Sequence, residues 1–323
     1  MRKKGWLAVN LALAMLLLSG CVTQRNNPLA QNEATAVPGL AMNLYPAMAS
    51  DSNAEQVSVT LYFRYLDEPM LAPENRVLTV RRDESIELAI VRALLDGPSA
   101  GHSELRRLLP AAANVESVTS RDDLVFVTFD AGLWQDDVPA NWAEDPNWQT
   151  EAPLQRTLAA QSITASLTER FPYTGVQILV HRQGEAQTNL RLENAYFLNG
   201  QDGLSEPLCR DETLLLTPQN TANAILQAWQ QHDFDRLYRY IAEPDKPPQA
   251  TVAEALSAAN ALADYNVSAG SVSDDGQSAT LTLALQTVRE NESSQTIGYP
   301  LLLTRENGEW KIRYAAMLAL VNR

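Results

Sequence analysis

Three tryptophans, Trp134, Trp142 and Trp148, stand close together in a run from Trp134 to Ala152 that is rich in Asp, Pro and Asn. Flat aromatic faces spaced along a loop can stack on sugar rings or receive a partner's side chain. The same run carries Asp136, Asp137, Glu144 and Asp145. Carboxylate oxygens suit calcium, but these four lack the alternating spacing of a calcium loop. The first expectation is that the tryptophans pack the loop down. Contact of Trp134, Trp142 and Trp148 with a glycan or partner is the second, and calcium the third. The three histidines are scattered: His102 in a polar loop, His181 at a strand end and His232 at a helix junction. There is no Cys-x-x-Cys, His-Glu-x-x-His or Gly-x-Ser-x-Gly motif, and no phosphate-cradling glycine loop. The expectation is a chain with no catalytic residues, no cofactor and no metal.

Two cysteines exclude a disulfide scaffold and a multi-Cys zinc site. The first of them closes an export signal. Arg2, Lys3 and Lys4 precede an apolar run from Trp6 to Leu18, which is followed by Leu18-Ser19-Gly20-Cys21. The run is short for a membrane span. Its basic, apolar, small-residue order is that of a signal peptide. The ending resembles the bacterial lipobox, in which cleavage precedes the cysteine and its thiol carries lipid. Residues 1–20 are thus expected to be removed, with Cys21 as the lipid attachment. Several acyl chains on one residue hold a protein stably on a bilayer. The expected location is extracytoplasmic, on the bacterial cell membrane. Val22, in the position after the cysteine, departs from the Asp that retains lipoproteins in the inner of two membranes. Cys209 then lacks an intramolecular partner and is expected to be a small buried hydrophobe.

The charge fits such a location. Lys plus Arg is 25 and Asp plus Glu is 39, for a net charge of −14. Residues 1–20 carry three cations and no acid, so their loss takes the charge to −17. A chain this acidic is a poor partner for nucleic acid, which needs clustered cations. Beyond residue 20 the lysines are Lys246 and Lys311 alone.

The predicted secondary structure that carries these residues falls into two folded units. Residues 21–55 read as a polar tether, long enough to span roughly 30–35 Å, on which Leu40 to Met48 is an apolar patch. Residues 56–200 form the first unit. Val57, Val59, Leu61, Phe63 and Tyr65 alternate with mostly polar neighbours, which predicts a half-buried strand. A second strand is expected over 76–80. Asp83 and Ser85 offer caps to a helix whose stripe is Ile86, Ala89, Ile90, Ala93 and Leu94, and Gly97-Pro98 stops it. Residues 115–119 and 124–130 read as a hairpin, 154–171 as a second helix, 176–180 as a strand and 190–198 as the last strand.

Parts of this unit resemble the sporulation and spore-germination GerM domain. The resemblance rests on Val59-Thr60-Leu61-Tyr62-Phe63, on Leu94-Leu95-Asp96-Gly97-Pro98-Ser99, on Leu108-Leu109-Pro110 with Val115 to Val118, and on Val125 to Asp130. It implies a module of bacterial envelope lipoproteins, related in fold to ring-building modules of envelope machines. It carries over no catalytic set. The insert from Trp134 to Ala152 departs from the pattern.

Residues 201–214 read as a linker, with Leu214 to Leu216 a candidate for the domain edge, and 215–323 as the second unit. Thr217-Pro218 opens a helix with Ala222, Ile225, Leu226 and Trp229 on its apolar face. Asp233 caps the next, and Val252, Ala255, Leu256 and Ala259 mark a third. Period two then takes over at Leu281, Leu283 and Leu285 and at Ile297, Tyr299, Leu301 and Leu303. Asn307-Gly308 is a hairpin turn from which Trp310, Ile312 and Tyr314 return. Helices followed by an antiparallel sheet, with Ala224 to Asp235 as an opening stretch, resemble the NTF2-like cone. Relatives of that fold use an Asp and a His in a pocket. Here His232 adjoins Asp233, but adjacent residues at a helix start face apart and Asp233 is accounted for as a cap.

The expected fold class is therefore α+β in two domains, a GerM-type mixed sheet with two helices followed by an NTF2-like cone. The expected function is that of a non-enzymatic envelope interaction or assembly module, tied to sporulation or germination. Its partners would be the membrane, through lipid, and an envelope protein, with peptidoglycan a further candidate. The alternative is a glycan or small-ligand binder using the Trp loop or the cone pocket.

Overall fold

The computed structural model describes residues 54–135, 138–181, 190–290 and 292–323. Cys21, the leader, the tether with its patch at 40–48, Asp136 and Asp137 lie outside the described residues. The architecture is α+β, as expected: three sheets with six α-helices among the described residues.

Strand β1 (Ala54–Tyr65) pairs antiparallel with β2 (Leu71–Arg81) through an unbroken register from Ala54↔Arg81 to Arg64↔Leu71. The second strand is thus twice the length expected from its period. Its early residues Leu71, Ala72 and Glu74 are all buried, which hides the alternation. Helix α1 (Ile86–Asp96) follows, with Ser85 Oγ accepting from Leu88 N as its cap. Gly97 ends it at φ 89°, a left-handed geometry suited to glycine. The helix end is clamped to β2. Arg76 Nη2 donates to Gly97 O at 2.9 Å, and Glu74 accepts from Ser99 N at 3.1 Å. Burial alone would raise the Glu74 carboxyl, but hydrogen bonds from Ser99 and Arg76 outweigh it and hold it below its ordinary value.

A two-residue β3 (Leu105–Arg106) joins β1. Then β4 (Val115–Arg121) and β5 (Leu124–Asp130) form the expected hairpin, with Asp122 at φ 56° in its turn. Strand β6 (Gly175–His181) lies parallel to β5, so the chain must cross over between them. Helix α2 (Trp148–Arg170) is that crossover. It starts six residues before the expected Leu154, because Pro153, which suggests a first turn, sits inside it. All residues from 158 to 167 are buried, since the helix lies between β1 on one side and β6 on the other. Small and hydroxyl residues make that possible. Ser162 Oγ donates to Tyr62 O at 2.6 Å and Ser166 Oγ accepts from Tyr62 N at 3.0 Å, so the helix covers the free edge of β1.

The strand expected over 190–198 is a correction. Only β7 (Leu190–Arg191) pairs with β6, and Asn194–Phe197 is a 3₁₀ turn that buries the neighbouring Tyr196 and Phe197 together. A strand would send neighbours to opposite faces. Leu215 and Leu216 are buried rather than free linker. Leu71 bridges Leu215, and Leu71 O accepts from Leu216 N at 2.8 Å.

Helix α3 (Pro218–Gln230) is capped by Thr217, whose side chain accepts from Asn220 N. Asp233 Oδ1 accepts from Arg236 N at 3.0 Å and caps α4 (Phe234–Arg239). Helix α5 (Gln249–Ser257) completes the helical part. The third sheet has the order β11-β10-β9-β8, all antiparallel, from β8 (Ala261–Val272), β9 (Ser278–Arg289), β10 (Glu292–Glu306) and β11 (Glu309–Lys311). Asn307 and Gly308 both take positive φ in the expected turn. Two elements escaped the periodicity. Strand β8 is exposed on most residues and bulged at two places, so it lacks an apolar alternation. The return strand stops at Lys311, and Tyr314 opens helix α6 (Tyr314–Val321), which buries Met317, Leu320 and Val321. The described residues, from Ala54 to Arg323, form one compact unit with a contiguous apolar core.

Candidate functional site

Two places gather side chains able to do more than pack. The first is a pocket of about 200 Å³ that includes Trp134, Pro139, Trp142, Arg156 and Tyr196 in its lining. Trp134 arrives on a 3₁₀ turn, Ala131–Trp134, capped by Asp130, whose carboxylate accepts from Gly132 N at 3.0 Å. Gly132 is required, because a Cβ there would lie 2.2 Å from Ala112 O. Trp134 stands edge-on to Tyr196 at 5.6 Å, and the Arg156 guanidinium lies over the same tyrosine at 4.7 Å. Arg156 also donates to Leu133 O at 3.2 Å. The pocket thus has aromatic walls and a fixed cation.

Of the three expected tryptophans, the structure brings Trp134 and Trp142 to this pocket. Trp148 belongs to the first turn of α2 and is not among the lining residues. All three are half-buried, and Trp134 packs against the core. Tyr196 and Arg156 were not legible as pocket residues, since they come from a turn and a helix far apart in sequence. Asp145 is used locally, its carboxylate accepting from Asn147 N at 2.9 Å. Among the described residues no group of three or more His, Cys, Asp or Glu is placed to hold a metal ion.

The second place is a polar seam where the first half of the unit meets the second. Glu68, in the β1–β2 turn, is buried and receives both Arg236 Nε at 2.7 Å and Arg236 Nη2 at 2.6 Å. The bond to Glu68 outweighs burial and raises the Arg236 guanidinium above its ordinary value. Tyr65 OH donates to Glu309 Oε2 at 3.1 Å and accepts from Lys311 Nζ at 2.9 Å, while Lys311 also pairs with Glu309. Burial first, and the neighbouring carboxylates second, push the Tyr65 and Tyr240 phenols well above the usual range. Lys246 and Lys311 both border a pocket of about 240 Å³ here, with Glu104, Glu243 and Glu306. Burial lowers the Lys246 ammonium. Glu68 pairs with Arg236, Glu309 with Lys311 and Glu243 with Lys246, and the first two of these pairs and Tyr65 tie the halves together.

The histidines do not converge. His102 Nδ1 lies 2.7 Å from Glu104 and His181 Nδ1 lies 3.1 Å from Glu116. His232 is exposed at φ 58°, with its ring 5.9 Å from Phe234, while Asp233 serves as a cap. Cys209 is exposed, contrary to the buried position expected of a free cysteine. It lies on an extended segment whose backbone does the anchoring: Gln161 Nε2 donates to Cys209 O at 3.0 Å.

Residues 60–183 match the Germane family, described as sporulation and spore germination. The Germane stretch is less than half of the chain and runs from β1 to just past β6. It contains the clamped end of α1 and the Trp134 turn. The match supports a role related to sporulation or germination. The chain is also similar to the tandem GerMN domains of the sporulation protein GerM from Bacillus subtilis, at 17% identity, 51% of this chain, 48% of that chain and a TM-score of 0.31. It is similar to the first GerMN domain of that protein alone, at 20% identity, 48% of this chain, 98% of the domain and a TM-score of 0.30. A SEC-C motif containing protein from Rhodopseudomonas palustris is similar at 12% identity, 30% of this chain, 76% of that chain and a TM-score of 0.27. The chain spans about half the length of the tandem GerMN domains. No curated protein matches it. Among the described residues no helix is long and apolar enough to cross a membrane.

Proposed function

We propose that this protein is a lipid-anchored assembly module of the bacterial cell envelope that works in sporulation or spore germination without catalysing a reaction. The observation that carries the reading is the Germane match over 60–183. The Leu18-Ser19-Gly20-Cys21 ending supports an anchor at Cys21. The second half, helices α3 to α5 followed by the sheet β8 to β11, is assigned to the NTF2-like cone on the order of its elements. It is a second interaction module, joined to the first by the seam.

The test has two arms. Metabolic labelling with a fatty acid should mark the wild-type chain and not Cys21→Ala. In a spore-forming source, disruption of the gene should lower the yield of heat-resistant spores or their germination, and photo-crosslinking in living cells should capture an envelope protein. Normal spores together with capture of peptidoglycan fragments alone would move the reading to the Trp134–Trp142 pocket as a glycan site.

A further inference from the structure

Beyond residue 20 the chain has two lysines, and the fold brings both to one pocket of about 240 Å³ whose walls come from both halves. Their surroundings differ. Lys311 Nζ donates to Tyr65 OH and to Arg239 O, each at 2.9 Å, and pairs with Glu309, so its three N–H groups all have acceptors. Lys246 Nζ lies 3.8 Å from Glu243 Oε1, beyond hydrogen-bond distance, and 4.2 Å over the Tyr238 ring. Its side chain is 15% exposed. Among the described residues its Nζ makes no hydrogen bond. The segment that carries it is pinned, since Tyr238 OH donates to Pro247 O at 3.0 Å and Gln249 Nε2 donates to Asp235 Oδ1 at 2.7 Å. The amine is thus held at the pocket wall, and its lone pair is uncommitted once a proton leaves.

A desolvated lysine beside another cation is the arrangement that turns an ammonium into a nucleophile. Burial is the largest effect on Lys246 and lowers its ammonium. Glu243 opposes that, Lys311 adds to it, and Glu306 and Glu309 oppose it more weakly, so the net direction is down. The Glu243 side chain is 68% exposed and near enough to take a proton from Nζ and return it. The walls choose the electrophile. Four carboxylates, Glu104, Glu243, Glu306 and Glu309, outnumber the cations Lys246, Lys311 and Arg239, so an anionic reactant is repelled. The volume falls below the roughly 300–1,000 Å³ of sites for drug-sized ligands, so the reactant is small.

We infer that Lys246 captures a small, neutral aldehyde or ketone as an imine in this pocket. The reaction is stoichiometric. It adds covalent ligand capture to the assembly role and does not rest on that role. Nζ adds to the carbonyl carbon, and the carbonyl oxygen leaves as water. Ammonium plus carbonyl gives iminium plus water: a C=N bond replaces the C=O bond, two hydrogens leave nitrogen with the oxygen, and the charge is unchanged. Glu243 takes the proton that frees the lone pair and returns it to the departing hydroxyl. The step needs neither oxidant nor reductant.

The test incubates the full chain in detergent micelles with propionaldehyde and cyanoborohydride, which reduces the iminium to a stable secondary amine. Peptide mass spectrometry then locates the label. Lys246 should be labelled about tenfold faster than Lys311 or more, because freeing the Lys311 lone pair breaks charge-assisted hydrogen bonds. In urea the two rates should converge. Glyoxylate, an anionic aldehyde, should lose this preference for Lys246. Glu243→Gln should slow the Lys246 rate by about tenfold, since loss of the proton carrier outweighs loss of its pull on the ammonium. Lys246→Arg should remove the fast label and leave Lys311 slow. Circular dichroism and melting matched to the parent certify that the variants fold. Equal rates for the two lysines in the folded chain overturn the proposal. So does a preference for Lys246 that persists in urea, one that glyoxylate shows as strongly, or a rate that Glu243→Gln leaves unchanged.

Discussion

Glu68→Ala is the sharpest perturbation of the seam. The carboxylate is 4% exposed and takes two bonds from an Arg236 side chain that is 18% exposed. Breaking a buried pair costs about 3–5 kcal/mol, because the partner left behind is desolvated without compensation. Arg236 would keep its bond to Gln227 Oε1 at 3.0 Å and some contact with water. That puts the expected loss at the lower end, about 3 kcal/mol. Replacing both partners by apolar residues, Glu68→Leu with Arg236→Met, should recover most of it, since a buried pair is often no better than apolar residues of similar volume. The assay is urea unfolding followed by tryptophan fluorescence, with the midpoint shifting at constant slope. Two results refute the reasoning. One is a loss below about 1 kcal/mol for Glu68→Ala. The other is a double variant that loses as much as the single ones combined, which would mean the two side chains do not act as a pair.

Further outcomes follow from single contacts. Ser166→Ala should cost about 1–3 kcal/mol in the same unfolding assay, because it leaves the Tyr62 N–H buried between helix and strand without its acceptor. Cys209 should react with a thiol reagent in the native state about as fast as in denaturant, since it is exposed. Stability should fall on both sides of neutral pH. Burial pushes the Tyr62 phenol up to about 12, so its contribution is complete below its unfolded value near 10 and is lost as pH rises through 12. Glu74 has the opposite sign: its folded carboxyl is held low, so its contribution is present above the ordinary carboxylate range and is lost as pH falls. Melting temperatures across pH, compared with Tyr62→Phe and Glu74→Gln, check both limbs.

Elements whose signals are local were legible in the amino-acid order alone. Ser85, Thr217 and Asp233 cap the helices they were expected to cap, and Asn307-Gly308 turns the hairpin, because a cap or a tight turn is decided by the few residues that form it. The amino-acid order also marked the α+β class and the Germane stretch. Tertiary structure decided the rest. Helix α2 has little apolar periodicity because it is enclosed between β1 and β6, and an element buried on every side has no face to advertise. Tyr196 and Arg156 meet Trp134 only because a turn and a helix converge on the same loop. Glu68 finds Arg236, and Tyr65 finds Glu309 and Lys311, across more than 160 residues of chain. Such pairings leave no spacing to read. They exist because burying the apolar faces of both halves against one another forces the charges at the margin to be neutralised by whatever lies opposite.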